Sequence, residues 1–557
     1  MTERVLEKPA SHTIVRLELQ VLRALAVISV VLYHLYPNLV SSGLLGVDVF
    51  FVLSGYLITS LIWRDFEHRK GRALFSELSR FWARRARRLL PAALLVLVST
   101  FLAGLWLGPR TWWLDSSGSF FASAAYVANW YFGFEATDYL RADAAVSPYQ
   151  HFWSLSVEEQ FYVLWPLLVM LVIALSIRKK LNFTIALMVV LSVGSFAFAF
   201  YSASTDPGFG FYNTFTRIWE FGFGAVLALW QYKSKPTLPA KFFGISWLLL
   251  IVVMFIPHTQ QTLLWQTLAA VALSVVVIIA SEQKLAGPRW RSLHWVGDYS
   301  YGIYLWHWPV LILAPWVIGS SALSASIFEQ LAMIALTFVL AYLSKRFLED
   351  PIRFGRFSKL PNLTQITALL AITAALIVSF AQIERSVRQS VSESEASGEV
   401  ILPGDEDPTK LIPALSQLAD DKPRVEEGNY VVRVGKPGFI VSEFGDTSSS
   451  TRIALIGDSH ARQFFEPIEA VAIKNKLQLD VISKTACPVQ HPDDYQLGTT
   501  GGGQYCEEWN QELGRYLAAN DYDLLITLNS TLIHDGKPKP TRSFVSAVTS
   551  WVEMGHN

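Results

Sequence analysis

Two ionisable side chains in the first apolar segment of this chain are spaced so that they could act together. The segment LRALAVISVVLYHLYP places Arg23 and His34 eleven positions apart. That spacing is close to three helical turns, so one helix would carry both side chains on one face, about 16 Å apart. Polar side chains in a membrane span are costly unless they line a cavity or meet partners. The pair is therefore either satisfied by neighbouring helices or includes a histidine that transfers protons near the outer leaflet, since histidine titrates near neutral pH.

Further ionisable groups accompany other apolar segments. They are Asp48 at the outer start of the second segment, Glu158 and Glu159 at the start of the fourth, Arg217 and Glu220 in TFTRIWEFGFGA, and His307 between two tryptophans. Arg217 and Glu220 are three positions apart and can pair on one helical face. One such residue could be structural, but this number of them predicts a polar chamber among the apolar helices.

The basic segment FWARRARRLLP places Arg85 and Arg88 at one-turn spacing, directly before an apolar run. Two interpretations are open. The charges can simply anchor the cytoplasmic end of a span, as basic residues commonly do. Alternatively, the two guanidiniums form a clamp for an anion, since paired arginines bind phosphates bidentately and coenzyme A is rich in phosphate.

Another candidate site lies towards the other end of the chain, in IALIGDSHARQ, residues 453–463. The segment is typical of a short apolar strand, a tight turn and the start of a helix. A serine on such a turn, here Ser459, is exposed to substrate, and its own backbone amide can help to hold an oxyanion. Gly-Asp-Ser alone is a weak motif. The assignment of Ser459 as a nucleophile therefore depends on the strand before the motif and the helix after it.

The composition indicates that most of these residues are positioned by a membrane domain. Of 557 residues, 52% are hydrophobic and only 17% are charged, against about 25% charged in an ordinary soluble domain. A span needs about 20 apolar residues. Eleven candidate spans result: 17–36, 44–63, 89–107, 152–177, 182–201, 218–232, 243–256, 262–280, 299–317, 326–344 and 364–382.

The charge of the loops orients these spans. The segment 64–88 holds nine Lys or Arg and is expected in the cytoplasm. Eleven spans then place the later basic loops on the same side, whereas a further full span at 118–134 would send them outside. We therefore expect 118–134 to be interfacial or re-entrant, the N-terminus to be cytoplasmic and everything after about Phe380 to be extracytoplasmic. No cleavable signal peptide is visible, because the first apolar run lacks a small-residue cleavage site.

The part of the chain after the last span is polar. Residues 383–429 begin with a Ser- and Glu-rich segment and predict a linker, most of it flexible, and a soluble domain begins near Tyr430. The two cysteines of the chain, Cys487 and Cys506, are 19 positions apart. An oxidising compartment favours a disulfide, which would contribute about 3 kcal/mol; two free buried thiols are the alternative.

The membrane segments together resemble the membrane acyltransferase-3 family over residues 14–356, with 364–382 as an additional transmembrane helix. The matching pieces are LRALAVISVVLYH, GVDVFFVLSGYLIT, RRARRLLP, FWSLSVEEQFYVLWP, YNTFTRIWEFGFGA, SYGIYLWHWP and FLEDPIR. The resemblance implies acyl transfer from acetyl-CoA, or a related acyl-CoA, to extracellular carbohydrate. It also implies that Arg23, His34, Arg85 and Arg88 are essential, with Glu159 as a further catalytic candidate.

Residues 430–557 resemble the SGNH (GDSL-like) domain that is fused to this family in surface-glycan O-acetylases, such as those of O-antigen. By that resemblance Ser459 is the nucleophile, and Gly457 and Asp458 shape its turn. Asn529, which closes the segment DLLITLN, is an oxyanion donor or an ordinary strand end. The family's late Asp-x-x-His is not found after residue 460. His556, three positions after Glu553, lies at the very end, and His460 belongs to the turn and is a poor substitute. We therefore expect a polytopic α-helical domain followed by an α/β SGNH-type domain that is truncated and incompletely assembled.

These observations predict a bacterial inner-membrane O-acyltransferase. Its donor would be cytoplasmic acetyl-CoA and its acceptor a hydroxyl of an extracytoplasmic glycan or lipid-linked sugar, such as lipopolysaccharide O-antigen. Two alternatives remain: a transporter or flippase of acyl donors or lipid-linked sugars, and a membrane-tethered carbohydrate esterase. Membrane lipids are the expected surroundings. Nothing in the sequence predicts nucleic-acid binding, and the histidines lack the spacing of metal ligands.

Overall fold

The computed structural model describes most of the chain. The described residues are 17–67, 74–108, 110–137, 146–174, 180–234, 238–280, 290–319, 323, 325–396, 423–427, 430–433, 437–485, 487–489 and 504–528. The chain divides into two compact units, residues 1–411 and 412–557, and each is described by itself. Asn529 and His556 lie outside the described residues.

The first unit is helical in its described part. Its long helices are α1 (Leu17–Leu35), α2 (Gly46–Glu67), α3 (Leu74–Leu107), α7 (Phe152–Ala174), α8 (Lys180–Thr205), α10 (Ile218–Ser234), α11 (Ala240–Phe255), α12 (Gln260–Ala280), α13 (Arg291–Leu313), α15 (Ile327–Ser344) and α17 (Asn362–Ala396). Short helices lie between them: α4 (Arg110–Asp115), α5 (Ser117–Ala124), α6 (Ala128–Glu135), α9 (Pro207–Tyr212), α14 (Pro315–Ile318) and α16 (Asp350–Phe354).

Each of the eleven predicted spans overlaps one of the eleven long helices. Seven stretches are long and apolar enough to cross a membrane by length and composition, and two shorter apolar helices, Leu19–Leu35 and Phe242–Phe255, accompany them. The protein is therefore a multi-pass membrane protein, while the count of eleven crossings stays a prediction. Segment 118–134 is not one helix: α5 and α6 are separated at Tyr126, whose φ is 55°. A helix broken in this way does not provide a full apolar span.

A glycine brings two of the long helices unusually close together. A Cβ on Gly297 of α13 would lie 1.9 Å from the main-chain oxygen of Gln20 on α1, so only glycine fits this contact. Further along the same two helices, His307 meets His34. The helices α1 and α13 therefore run side by side in the same direction, and their close packing determines which polar side chains face each other.

The last long helix is longer than the predicted span. Helix α17 continues to Ala396 without interruption, so the predicted flexible linker is wrong for residues 383–396. Continuous main-chain hydrogen bonding explains the difference, because a Ser- and Glu-rich end can extend a helix that an apolar span has already nucleated. Residues 397–422 of the predicted linker lie outside the described residues.

The second unit contains a four-stranded sheet. Its strands are β1 (Ser442–Gly445), β2 (Arg452–Gly457), β3 (Gln478–Ser483) and β4 (Leu524–Leu528), in the order β1-β3-β2-β4. Strand β2 pairs in parallel with β3 and β4, whereas β1 pairs with β3 antiparallel. The helices are α18 (Arg424–Glu427), α19 (Ser459–Arg462), α20 (Phe465–Asn475) and α21 (Gln504–Ala519). The apolar run IALI is fully buried in the centre of this sheet, as parallel strands covered on both faces require.

Candidate functional site

A cavity with both apolar and polar walls lies among the helices of the membrane unit. Its volume is about 80 Å³. Apolar side chains form much of its wall, including Phe50, Leu53 and Leu57. The polar side chains that line it are Arg23, Ser54, Arg85, Arg88, Ser154, Glu158, Tyr162, Ser300, Tyr301 and Tyr304. Of the buried charged groups that predicted a polar chamber, Arg23 and Glu158 line this cavity, together with Arg85 and Arg88.

Within this cavity one carboxylate is held by hydroxyl groups. Ser54 Oγ donates to Glu158 Oε1 at 2.9 Å, and the Tyr162 hydroxyl lies 3.3 Å from Glu158 Oε2 and 2.9 Å from Ser54 Oγ. Glu158 also attracts the guanidinium of Arg23. Its neighbour Glu159, the candidate that the resemblance implied, does not line the cavity. By its position Glu158 is thus the stronger candidate of the two.

The four arginines of the RRARR segment divide into two pairs. Arg84 forms an ion pair with Asp65 at 2.6 Å, and Arg87 donates to the main-chain oxygen of Ser358 at 3.2 Å and to a glutamine side chain. Arg85 and Arg88 instead line the cavity. Both pairs can anchor a helix end, and the second pair also faces a cavity that a ligand could enter.

Arg85 is placed in this wall by its packing. Its guanidinium carbon lies 5.7 Å from the centre of the Phe81 ring and 5.8 Å from that of Tyr162, distances at which a cation is attracted by an aromatic face. Its Nε is buried and makes no hydrogen bond to any described residue. A buried donor without a partner is costly, so this atom suits an acceptor supplied by a ligand, such as a phosphate oxygen.

A cluster of histidines lies beside the cavity. His34 Nδ1 is 3.3 Å from His307 Nε2, and the two ring planes are inclined by 29° with centres 5.3 Å apart. His307 is buried, and its Nδ1 lies 2.5 Å from the main-chain oxygen of Tyr304. The Trp308 ring covers His34 at 4.6 Å. The structure thus joins two histidines that stand 273 positions apart in the sequence, and both were candidates.

His151 is a third member of this cluster that the sequence analysis missed. Its Nε2 lies 3.1 Å from the main-chain oxygen of Leu305, and its ring centre is 5.9 Å from that of His307. Its Nδ1 is buried and has no hydrogen-bond partner among the described residues. Its position in the sequence could have identified it as a candidate. His151 directly precedes the fourth predicted span, on the side of the membrane that was predicted for His34.

Tyr304 connects the cavity to the histidines. Its side chain lines the cavity, and its hydroxyl donates to the main-chain oxygen of His151 at 2.9 Å and lies 2.6 Å from Ser154 Oγ. Its main-chain oxygen faces His307. Arg23 therefore belongs to the arginine-lined cavity, and His34 belongs to the histidine cluster. The two regions adjoin each other along helix α1.

Asp48, Arg217 and Glu220 form a separate buried group. Arg217 Nη1 lies 3.0 Å from Asp48 Oδ1 and 3.0 Å from Glu220 Oε1. Its remaining donors Nε and Nη2 reach the main-chain oxygen of Phe211 at 3.1 and 2.9 Å. The predicted Arg217–Glu220 pair is confirmed, and Asp48 joins it from α2. Because Arg217 pairs with both carboxylates, these groups fasten α2 to α10.

In the second unit, Ser459 stands at the carboxyl end of the central strand β2. Gly457 has φ 151°, and a Cβ there would lie 2.0 Å from the main-chain oxygen of Leu528, so the turn requires glycine. Asp458 Oδ1 accepts a hydrogen bond from the His460 main-chain nitrogen at 2.9 Å and lies 3.3 Å from His460 Nδ1. Asp458 therefore shapes the turn, as predicted. Ser459 begins α19 and is buried, with 7% of its surface accessible, so the expected exposure of this serine is wrong.

Residues after β3 complete the surroundings of this turn. Arg462, one turn after Ser459, is buried and donates to Thr485 Oγ1 at 3.0 Å. Lys484 Nζ donates to the main-chain oxygen of Tyr505 at 2.7 Å, and burial lowers the pKa of this lysine. Cys487 and Cys506 are joined in a disulfide with Cα atoms 5.4 Å apart, which ties the segment after β3 to α21.

No group of three or more His, Cys, Asp or Glu side chains among the described residues is arranged to hold a metal ion. The histidine cluster is instead bound to main-chain carbonyls and to itself. Its hydrogen bonding suits proton transfer by neutral imidazoles.

Two family models match the chain. The acyltransferase domain matches residues 16–346, and the SGNH domain that is fused to such acyltransferase domains matches residues 430–543. These limits lie inside the predicted domains 14–356 and 430–557. The first match alone covers more than half of the chain.

Two curated relatives are named as peptidoglycan O-acetyltransferases. A protein of Bacillus subtilis named "putative peptidoglycan O-acetyltransferase" is 36% identical over 359 residues, covering 61% of this chain and 55% of that protein. The peptidoglycan O-acetyltransferase of Listeria monocytogenes is 34% identical over 351 residues, covering 60% of this chain and 55% of that protein. This chain thus spans about half the length of these relatives.

No solved structure shows a significant match to the chain. The two family models cover the helical unit with its arginine cavity and the sheet unit with its Gly-Asp-Ser turn. The chain belongs to the family of membrane acyltransferase-3 proteins that carry a fused SGNH domain.

Proposed function

We propose that the protein is a membrane O-acyltransferase that moves an acetyl group, or a related acyl group, from cytoplasmic acyl-CoA to a hydroxyl of an extracytoplasmic glycan. The observation that carries the proposal is the arginine-lined cavity that adjoins a pair of hydrogen-bonded histidines through Tyr304. The arginines suit a polyanionic donor and the histidines suit proton transfer.

The donor side of the proposal rests on Arg85 and Arg88. Arg84 and Arg87 on the same helix are occupied by protein partners, whereas these two face the cavity. Guanidiniums bind phosphate through two parallel hydrogen bonds. Arg23 lines the same cavity and adds a third positive charge. The phosphates of coenzyme A would lie at this end, with the thioester directed towards Tyr304 and the histidines.

The chemical step assigned to this region is general base catalysis by His34. As an acceptor hydroxyl attacks the thioester carbonyl carbon, its proton passes to the histidine. The new C–O bond forms, the C–S bond breaks, and the proton then passes from the histidine to the departing thiolate. Atoms and charge balance without a metal or a redox partner.

The outer side of the proposal rests on Ser459. A serine at the carboxyl end of a central parallel strand, on a turn that requires Gly457, has the placement of a hydrolase-type nucleophile. It would accept the acyl group and pass it to the glycan. Under the predicted topology the protein lies in the bacterial cell membrane, with the donor in the cytoplasm and the serine beyond the lipid.

The acceptor class follows from the relatives' names. Two of them are named for peptidoglycan, which makes peptidoglycan the first acceptor to test. Lipopolysaccharide O-antigen, expected from the sequence resemblance, is the second. Both present sugar hydroxyls outside the membrane, so the proposed chemistry is the same for either.

The test uses acetyl-CoA labelled in the acetyl group and the full-length protein in sealed, inside-out membrane vesicles. Label should appear as an alkali-labile ester on glycan inside the vesicles, and His34→Ala should abolish it. Label that enters without forming an ester would indicate a transporter. Loss of pre-existing glycan esters would indicate an esterase. Ester formation that is unchanged in the His34→Ala variant would remove this histidine from the mechanism.

A further inference from the structure

The hydrogen bonds of His307 determine which of its nitrogens carries the proton. Nδ1 lies 2.5 Å from the main-chain oxygen of Tyr304, and a carbonyl oxygen can only accept. Nδ1 therefore carries the hydrogen. In a neutral imidazole the other nitrogen then holds a lone pair, so Nε2 of His307 is an acceptor.

That acceptor faces the ring of His34. His307 Nε2 and His34 Nδ1 are 3.3 Å apart, and one of the two must supply the hydrogen. Because Nε2 of neutral His307 has none, Nδ1 of His34 is the donor. The lone pair of His34 is consequently on its Nε2, the nitrogen that does not face His307.

A doubly protonated His307 would reverse this assignment, but its surroundings disfavour it. The residue is 1% exposed, and no carboxylate pairs with it among the described residues. The groups around it are His34, His151, Tyr304 and Trp308, which bring no negative charge. A buried cation without a counter-ion is costly, so the neutral form is the one that fits.

We propose that His307 is a positioning residue that holds His34 in the tautomer with a free lone pair on Nε2, ready to accept a proton from the acceptor hydroxyl. The proposal deepens the acyltransferase function and rests on it. An unassisted imidazole can carry its proton on either nitrogen, and only one of these forms is a base at Nε2. The chain from the Tyr304 carbonyl through His307 to His34 therefore does what an orienting carboxylate does for the histidine of a serine hydrolase.

The fold supports this role, because the two rings are held by closely packed helices. Gly297 brings α13 against Gln20 of α1, and the His34 ring is held between those of His307 and Trp308. Rotation of His34 away from His307 is thereby restricted. A pre-oriented base needs no reorganisation when the reaction begins.

Two amide substitutions test the proposal as a matched pair. In His307→Gln, the side-chain oxygen can take the place of Nε2 and accept from His34. In His307→Asn, the shorter amide reaches only the place of Nδ1 and can bond the Tyr304 carbonyl, which leaves His34 without its acceptor. Neither amide can carry a proton between groups.

We expect His307→Asn to lower kcat by on the order of 100-fold or more, as loss of a general base does, with the KM for acetyl-CoA unchanged. His307→Gln should keep kcat within about 10-fold of the wild type, since the acceptor is restored. Each variant is measured as the full-length protein and must elute from size exclusion as the wild type does. His34→Ala, run in parallel, reports on the proposed function itself.

The outcomes separate the two proposals. If His307→Gln is as inactive as His307→Asn while both fold, His307 must itself carry a proton, and the positioning role is wrong. If both amide variants are fully active, the acceptor is unnecessary, and the inference is equally wrong. Activity that survives in His34→Ala would instead contradict the role of His34 in the proposed function, whatever the His307 variants show.

Discussion

Replacing Arg88 with glutamine is the sharpest test of how the donor binds. Arg88→Gln removes one cavity-lining guanidinium, and Arg84→Gln removes an equal charge from the same helix, where it pairs with Asp65. Both variants lower the positive charge of the cytoplasmic segment by the same amount. Any effect on membrane orientation should therefore be shared, and any effect specific to Arg88 must come from the cavity.

The magnitude follows from the contact that each arginine would lose. A hydrogen bond to a charged group contributes about 1.5–3 kcal/mol, and each 1.36 kcal/mol is a factor of ten. Arg88→Gln should therefore raise the KM for acetyl-CoA by about 10- to 150-fold. The Arg84–Asp65 pair is partly exposed, with 34% and 25% of the two side chains accessible. Such pairs contribute at most about 1 kcal/mol to stability, and Arg84→Gln should leave KM within about 2-fold.

The assay measures acetyl-CoA turnover and binding with each purified variant in lipid nanodiscs. Protease accessibility of the second unit in intact cells checks that orientation is unchanged. An equal rise in KM for both variants would show that the basic segment acts through its overall charge. That result would refute the anion clamp and leave only the anchoring interpretation.

Two further predictions concern packing inside each unit taken by itself. Arg217→Gln should lower the free energy of unfolding in mixed micelles by about 3–5 kcal/mol, because it leaves buried Asp48 and Glu220 uncompensated. Adding Asp48→Asn should recover part of this loss, and strictly additive losses would contradict the pairing. Gly457→Ala should destabilise the second unit by about 1–3 kcal/mol, because its φ is 151° and a Cβ would meet a strand carbonyl at 2.0 Å. The control Gly514→Ala has open space around its Cβ within α21 and should stabilise by about 0.5–1 kcal/mol; equal effects in thermal unfolding would show that the turn does not require glycine.

Features that depend on near neighbours in the chain were predictable from the sequence. The eleven long helices follow from runs of apolar residues, since each run must satisfy its own backbone hydrogen bonds in lipid. The Arg217–Glu220 pair follows from a three-residue helical spacing. The turn at Gly457 and Asp458 follows from the residue types that such a strand-to-helix turn requires. The extent of α17 did not follow, because a polar sequence can continue a helix that an apolar one has begun.

The sequence by itself thus determined the helices, the order of the two domains and the residue types available for chemistry. Only the tertiary structure decided which of those residues meet. His34 and His307 are 273 positions apart, and Asp48 reaches Arg217 across 169 positions. The structure also separated Arg85 and Arg88 from Arg84 and Arg87, which have the same residue type and the same one-turn spacing. The physical reason is that spacing along a helix defines a face, whereas the packing of other helices decides what that face meets.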